Sequence, residues 1–403
     1  MKLSKRAQNL KPSVTLAASA KAKELKAQGL DILSVTLGEP DFSTPKNIQE
    51  AAIAAIQSGK ASFYTPTAGI PELRQAIVEY IEKYYGLTYT PAQTLVTDGA
   101  KFALYALFQV ILDEGDEVII PVPYWVSYAE QVSLAGGTPI FVEGLEANQF
   151  KVTVDDLEHA RTTKTQAVVL NTPSNPTGMI YTKDELQAIG EWAVAHDILI
   201  VADDIYGRLV YGDAEFTPIA TISEAIRQQT MIINGVSKTY SMTGWRIGFA
   251  VGNIELIKAM TDIASQATSN PTAVSQYAAV EALTGPQDSV ETMRQAFEER
   301  LNKLHALVVE IPGFTCAKPQ GAFYLFPNVK EALDMCGYTD VTTFTDDLLN
   351  EAHVALVTGA GFGAPENIRI SYASDWDTLE ETVKRIKAFV EKSAKSNTLL
   401  KDV

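Results

Sequence analysis

Lys238 stands in the segment Asn234-Gly-Val-Ser-Lys-Thr-Tyr-Ser-Met-Thr-Gly-Trp-Arg-Ile-Gly248, eight residues before Arg246 and with no acidic residue between the two cations. A lysine set among Gly, Ser, Thr and Tyr with a guanidinium close by has the layout of an amine held beside an anion. Such an amine can form imines with carbonyl compounds. The ordinary alternative for any lysine is a solvated surface charge. Arg246 is the only guanidinium near Lys238 in sequence, which favours an anion clamp over a second surface charge.

These residues need elements to position them. Four short runs rich in branched side chains, at 117–121, 166–171, 198–202 and 230–234, read as strands, and 186–196 has helical spacing behind a Thr182-Lys-Asp-Glu185 capping box. Continuously apolar strands are covered on both faces, so the pattern predicts an α/β fold with a mostly parallel sheet. Ligands of such sheets collect at the carboxyl ends of the strands. There the chain sets Asn171 and Asn175, Asp203 and Tyr206, and Ser237 and Lys238. Thr97 to Lys101 leads into a helical pattern from Phe102 to Leu112. The amides of Gly99, Ala100 and Lys101 then lie at a helix N-terminus, where free N–H groups and the helix dipole favour an anion.

Beyond about residue 285 the pattern changes: Asp288 to Ile311 reads as one long amphipathic helix, Ala322 to Phe326 as an aromatic strand, and Trp376 to about Lys392 as a terminal helix. The expected organisation is a large domain at 46–284 and a smaller α/β domain at 285–403, with the segment 1–45 packing against the latter. A chain of 403 residues with 46% hydrophobic and 20% charged content is globular and long enough for two such domains.

Lys+Arg 33 against Asp+Glu 49 leaves a net charge of −16, which argues against nucleic acid or an anionic membrane as partner. No apolar run nears the roughly 20 residues of a membrane span, and Met1 to Ala7 is not followed by the apolar core of a secretory signal, so a soluble cytoplasmic protein is expected. Cys316 and Cys336 make no metal-spaced pair with the four histidines, so no metal is expected, and the sequence leaves open whether they are joined. Gly359-Ala-Gly-Phe-Gly363 is only superficially like a dinucleotide loop, since it lacks the strand, spacing and helix of that motif.

Taken in order, Lys11-Pro-Ser-Val-Thr15, Leu37-Gly-Glu-Pro-Asp-Phe42, Tyr64 to Arg74, Pro123-Tyr-Trp125, Asn175-Pro-Thr-Gly178, Asp203-Asp-Ile-Tyr206, Ser237 to Gly248 and Asn367-Ile-Arg-Ile-Ser371 resemble the class I aminotransferase family of pyridoxal-phosphate enzymes. Within it the chain looks like the bacterial aspartate aminotransferases. The resemblance runs over almost the whole length, and eight segments in the family's order make it specific. It implies the type I fold of pyridoxal-phosphate transferases, with a mostly parallel seven-stranded sheet flanked by helices and a smaller α/β domain.

The resemblance also implies roles. Lys238 would carry pyridoxal 5'-phosphate as an imine, be displaced by substrate and then move the substrate's proton. Asp203 would keep the pyridine nitrogen protonated, although an aspartate after a strand is also a common helix N-cap. Asp204, where relatives usually have glutamate, is the better candidate for that structural role. Tyr206 and Asn175 would hydrogen-bond the phenolic oxygen, and Trp125 would stack on the ring; taken alone, Asn-Pro-Thr-Gly is a turn and Trp125 a core residue. Ser237, Arg246 and the amides from Gly99 to Lys101 would hold the phosphate, with Tyr64 reaching it from a partner subunit, so a homodimer is implied. Arg369 would grip the substrate α-carboxylate opposite the backbone of Gly38, with Trp125 and Asn175 also facing substrate. Read by itself, Arg369 could be an edge-strand charge.

Lys101, with Ser13 and Thr15 nearby, matches the group that reaches the distal carboxylate of a dicarboxylic substrate. Here the chain reads Gly-Ala-Lys-Phe where the family's Gly-Gly-Lys-Gln is familiar. The expected reaction moves the amino group between aspartate and 2-oxoglutarate, giving oxaloacetate and glutamate by a two-stage exchange. Amination of prephenate, with Arg6 as a further contact, and use of alanine or aromatic amino acids are the alternatives within the class. A carbon–sulfur β-lyase is an alternative on the same scaffold. A regulator that keeps the fold without turnover would need an attached DNA-binding module, for which the chain has no room.

Overall fold

The apolar runs become the inner strands of a seven-stranded sheet. In the computed structural model, which describes residues 2–401, its strands are β1 (Thr94–Thr97), β2 (Glu117–Val122), β3 (Thr138–Glu143), β4 (Thr165–Asn171), β5 (Leu199–Asp203), β6 (Thr230–Gly235) and β7 (Gly248–Val251), in the spatial order β1-β7-β6-β5-β4-β2-β3. Only β7 runs against the rest, antiparallel to both β1 and β6. The runs read from sequence are β2, β4, β5 and β6, with ends moved by about a residue. The other three strands escape that reading for physical reasons. β3 is an edge strand that carries Pro139 and exposes Thr138, Phe141 and Glu143, while β1 and β7 are four residues long and β7 starts on glycine.

Both faces of the sheet are covered. Val118 and Ile120 of β2, Val169 of β4 and Val201 of β5 pack under Leu104, Leu107 and Phe108 of the helix Ala100–Ile111. Their neighbours Ile119, Val168 and Ile200 face the other way, toward Leu186, Ile189 and Ala193 of the helix Lys183–Ala195. Strand side chains alternate between faces, so a run that is apolar at every position specifies a sheet buried on both sides. The capping box expected at Thr182 and Glu185 is present.

A second core gathers the C-terminal elements. Phe297, Leu301 and Leu304 of the helix Asp288–Val308 pack against β8 (Tyr324–Leu325) and β10 (Ile368–Ser371), which with β9 (Val357–Thr358) form an antiparallel sheet of order β9-β10-β8. The N-terminal segment joins this side: Leu33–Ser34 pairs in parallel with Val354–Ala355, and the Ser371 N–H donates to the Val35 carbonyl at 3.0 Å.

Three expectations change here. The long helix stops at Val308, before Ile311. The aromatic strand shrinks to Tyr324–Leu325, because Ala322 has φ 59° and gives its N–H to the Leu209 carbonyl at 3.0 Å. The terminal helix runs on to Lys401, where the Asn397 side chain ties it to the Met335 carbonyl at 3.0 Å. Cys316 and Cys336 both carry free thiols, and no helix among the described residues is long and apolar enough to cross a membrane.

Candidate active site

A cavity of about 460 Å³ opens where the carboxyl ends of the parallel strands meet the smaller sheet, and Lys238 lies in it. The Lys238 ammonium donates to the Gly38 carbonyl, so the loop after β6 and the N-terminal segment meet at this amine. Burial lowers the Lys238 pKa to about 8; the Arg246 and Arg369 charges push the same way, and Glu39 and Asp203 oppose them. An amine with that pKa is still mostly protonated at pH 7, but its neutral fraction is far larger than an ordinary lysine's, and neutral nitrogen is the nucleophile and the base.

Asp203 ends β5, in register with Asn171 of β4, and is 3% exposed. The Tyr128 hydroxyl donates to its Oδ2 at 2.6 Å and the Ile205 N–H to its Oδ1 at 3.3 Å. Burial raises the Asp203 pKa to about 6 despite these hydrogen bonds and the Lys238 charge. A buried carboxylate on a cavity wall is a seat for a cationic N–H group, whose charge would restore the ionised form. Asp204 does not cap a helix as expected. It is buried and accepts from the Tyr85 hydroxyl at 2.9 Å, and the chain goes on into turns rather than a helix.

Arg369 lies on the middle strand of the smaller sheet at 1% exposure, which rules out the edge-strand reading. Its Nη1 donates to Asn175 Oδ1 at 3.0 Å and its Nη2 to the Thr36 carbonyl at 2.8 Å, while Nε is buried with no partner among the described residues. An unpaired N–H on a buried, cavity-lining guanidinium costs free energy unless an acceptor arrives, and a carboxylate fits the guanidinium fork. Asn175 spends its oxygen on Arg369 and so keeps its amide nitrogen as a donor. Tyr206 is buried beside it, with its hydroxyl 2.9 Å from that of Tyr324.

The anion cradle is built by close approach. Gly99 caps the helix Ala100–Ile111 at φ 83°, and a Cβ there would sit 2.2 Å from Arg246 Nη2. The guanidinium is held by the carbonyls of Thr243 at 2.9 Å and Asp98 at 3.3 Å. Ala100 and Lys101 occupy the first helical positions, whose N–H groups have no acceptor within the helix. Gly248 of β7 passes so near that a Cβ would lie 2.2 Å from the Ala100 nitrogen. Gly248→Ala should therefore lower folding stability by about 1–3 kcal/mol, read as a smaller denaturation midpoint in urea. Gly244→Ala, where the added carbon meets nothing within 4 Å, is the matched control and should lose nothing.

Of the other residues singled out from sequence, Ser237, Trp125, Lys101, Gly38 and Thr15 line the cavity. The Lys101 ammonium lies 4.9 Å from the centre of the Trp125 ring, and burial followed by the Arg246 charge lowers its pKa. Thr15 shares a 2.9 Å hydrogen bond with Ser13. Gly99 lies under Arg246 and is not part of the lining, and Tyr64, 90% exposed, is outside the cavity of its own chain. Arg6 is exposed on the short helix Lys5–Asn9, also outside it. Sequence reasoning missed Tyr128, Tyr324 and Thr36, which hold the groups that face the cavity. Tyr128 lies on the helix Ser127–Leu134 that follows Trp125 and carried no motif of its own, and Tyr324 read only as one aromatic in a strand.

The sequence matches the model of class I and II aminotransferases over residues 31–386. It is 63% identical to the asparagine–oxo-acid transaminase of Streptococcus mutans, over 97% of this chain and 100% of that protein. It is 58% identical to the aspartate aminotransferase of Geobacillus stearothermophilus, over 98% of this chain and 100% of that protein. Among solved structures, Thermus thermophilus aspartate aminotransferase with maleate superposes with a TM-score of 0.92 at 41% identity, covering 96% of this chain and 99% of that one. With the match spanning both sheets, and Lys238, Asp203 and Arg369 gathered in one cavity, the chain belongs to the class I and II aminotransferase family.

Proposed function

We propose that this chain is a pyridoxal 5'-phosphate-dependent aminotransferase that moves the amino group between aspartate and 2-oxoglutarate in two half-reactions. The observation that carries this reading is the meeting of an amine, a carboxylate and a guanidinium, Lys238, Asp203 and Arg369, in one cavity. The residues present fit the cofactor. Asp203 is a buried carboxylate with no cationic group bonded to it, the amides at the start of the helix Ala100–Ile111 and Arg246 suit a phosphate, and Arg369 Nε awaits an acceptor.

When bound, pyridoxal phosphate supplies an aldehyde that captures an amine and a ring that accepts the electron pair left as Cα loses its proton. Asp203, braced by Tyr128, would hold a proton at the ring nitrogen. Tyr206 and Asn175 would donate to the phenolic oxygen, and Trp125 would lie against the ring. Ser237, Arg246 and the amides of Ala100 and Lys101 would hold the phosphate, whereas the Gly99 N–H, expected to join them, is already given to the Thr97 carbonyl at 2.8 Å. Arg369 clamps the substrate α-carboxylate near the backbone of Gly38 and so aims the Cα–H bond. Lys238, whose neutral form burial favours, would take that proton and hold it at Nζ.

Lys101 and Thr15 would meet the distal group of the substrate, and an ammonium suits a carboxylate. Transfer from asparagine is the second reading, favoured by the Streptococcus mutans relative. Steady-state rates with 2-oxoglutarate as acceptor separate them. Aspartate should exceed asparagine in kcat/KM by about tenfold or more, and Lys101→Met should cut the aspartate value about 10- to 100-fold while leaving asparagine within about threefold. A wild-type preference for asparagine would overturn the aspartate assignment.

We further propose a homodimer acting in the cytoplasm. Phe63 and Tyr64 are 77% and 90% exposed, close in sequence to Ile53 and Ile56 at 51% and 61%. Large apolar side chains left facing solvent in one region support a protein partner, and Tyr64 would then reach the phosphate of the other subunit. The free thiols support a reducing compartment.

A further inference from the structure

Tyr324, like Arg369, is a side chain at which the two halves of the cavity touch. It comes from β8 of the smaller sheet and is fully buried, and its hydroxyl lies 2.9 Å from that of Tyr206, which follows β5 of the large sheet. Its ring lies under the Arg369 guanidinium, 4.4 Å from Cζ to the ring centre. The same hydroxyl lies 3.3 Å from where a Cβ on Gly38 would stand, and the Gly38 carbonyl is the acceptor of the Lys238 ammonium. One side chain therefore adjoins the phenol, the guanidinium and the backbone that border the reacting amine.

We infer that Tyr324 is a positioning residue: its hydroxyl donates to Tyr206 and so orients and strengthens the proton that Tyr206 offers to the cofactor's phenolic oxygen, while its ring holds Arg369 flat for the substrate carboxylate. The direction of the hydrogen bond follows from counting. A phenol has a single proton to donate. If Tyr206 gives its proton to the cofactor, the 2.9 Å contact between the two hydroxyls must be donated by Tyr324. A donor behind a donor polarises it, and such chains are cooperative in a dry site. The two contacts of Tyr324 separate by chemistry. The ring contact survives replacement by phenylalanine, and the hydroxyl contact does not.

This inference rests on the cofactor reading above, and its test fails separately from that reading. Holoenzymes of the wild type, Tyr324→Phe, Tyr206→Phe and the double variant would be titrated by visible absorbance of the bound cofactor, and kcat and KM measured for each. Weaker donation from Tyr206 leaves the phenolic oxygen less stabilised as an anion, so Tyr324→Phe should move the midpoint upward by about half to one pH unit. Its kcat should fall about three- to tenfold, with KM for the amino acid within about twofold because the ring remains under Arg369. The double variant should titrate where Tyr206→Phe does, since Tyr324 acts through Tyr206. Tyr324→Leu, which removes the ring as well, should raise KM. An unmoved midpoint in Tyr324→Phe, or shifts that simply add in the double variant, would overturn the inference. A wild-type protein with no cofactor absorbance to titrate would instead overturn the cofactor reading.

Discussion

Lys238→Ala is expected to lower the rate of transamination by about four orders of magnitude or more while leaving the protein folded and able to bind cofactor. The size follows from what is removed. Alanine takes away the nucleophile and a flexible, buried base whose pKa is lowered to about 8. The rest of the pocket is untouched, because among the described residues the Lys238 ammonium bonds only to the Gly38 carbonyl, while the phosphate cradle is built by Arg246 and the helix start. Single-turnover measurements with saturating aspartate would show this as a lost chemical step and not as weak binding. The pH dependence of reconstitution offers a second reading of the same group. Burial lowers the lysine from its ordinary 10.5 to about 8, so capture of cofactor by stripped wild-type enzyme should speed up as pH rises to about 8 and level off above it. A rate still climbing toward pH 10 would mean an ordinary solvated lysine, and wild-type turnover in Lys238→Ala would sink the mechanism altogether.

Asp203→Asn is expected to reduce kcat about a thousandfold, close to 4 kcal/mol of transition-state stabilisation. The amide keeps the shape and its one oxygen can still accept from Tyr128, giving up only the long 3.3 Å bond from the Ile205 N–H, but it cannot hold a positive charge at the ring nitrogen, and the ring would then accept the electron pair poorly. The same substitution should not harm the empty protein. Burial raises the Asp203 pKa above its ordinary 3.8 to about 6, so between these values the folded state binds more protons than the unfolded state. Stability therefore declines as pH rises through that window and stays lower above it. A neutral amide lacks this penalty, so at pH 7 to 8 the cofactor-free variant should denature at the same or a higher urea concentration than wild type. A large loss of stability with catalysis intact would make Asp203 a structural residue instead.

Much of the sheet was legible because its order is written in local chemistry. Val118 to Ile120, Val168 to Leu170 and Ile200 to Ala202 are apolar at every position, and only a sheet covered on both faces uses such runs. Carboxyl ends of parallel strands then put Asn171, Asp203 and Lys238 in one neighbourhood before any coordinates exist. Short or edge strands such as Gly248–Val251 and Thr138–Glu143 were not legible, since their pairing partners and not their composition make them strands. The same holds for Asp204, which resembles a helix cap in sequence and is instead a buried acceptor for Tyr85, 119 residues away.

Sequence alone determined which chemistry this protein carries, because a lysine, an aspartate and an arginine in ordered motifs specify reactive groups whatever their distances. Tertiary structure decided how those groups behave. Burial pulls Lys238 down and Asp203 up, Arg369 lies on an inner strand with an unpartnered Nε, and Tyr324 from one sheet meets Tyr206 from the other. Burial and hydrogen-bond geometry depend on contacts between residues more than a hundred positions apart, and no local pattern of side chains records those contacts.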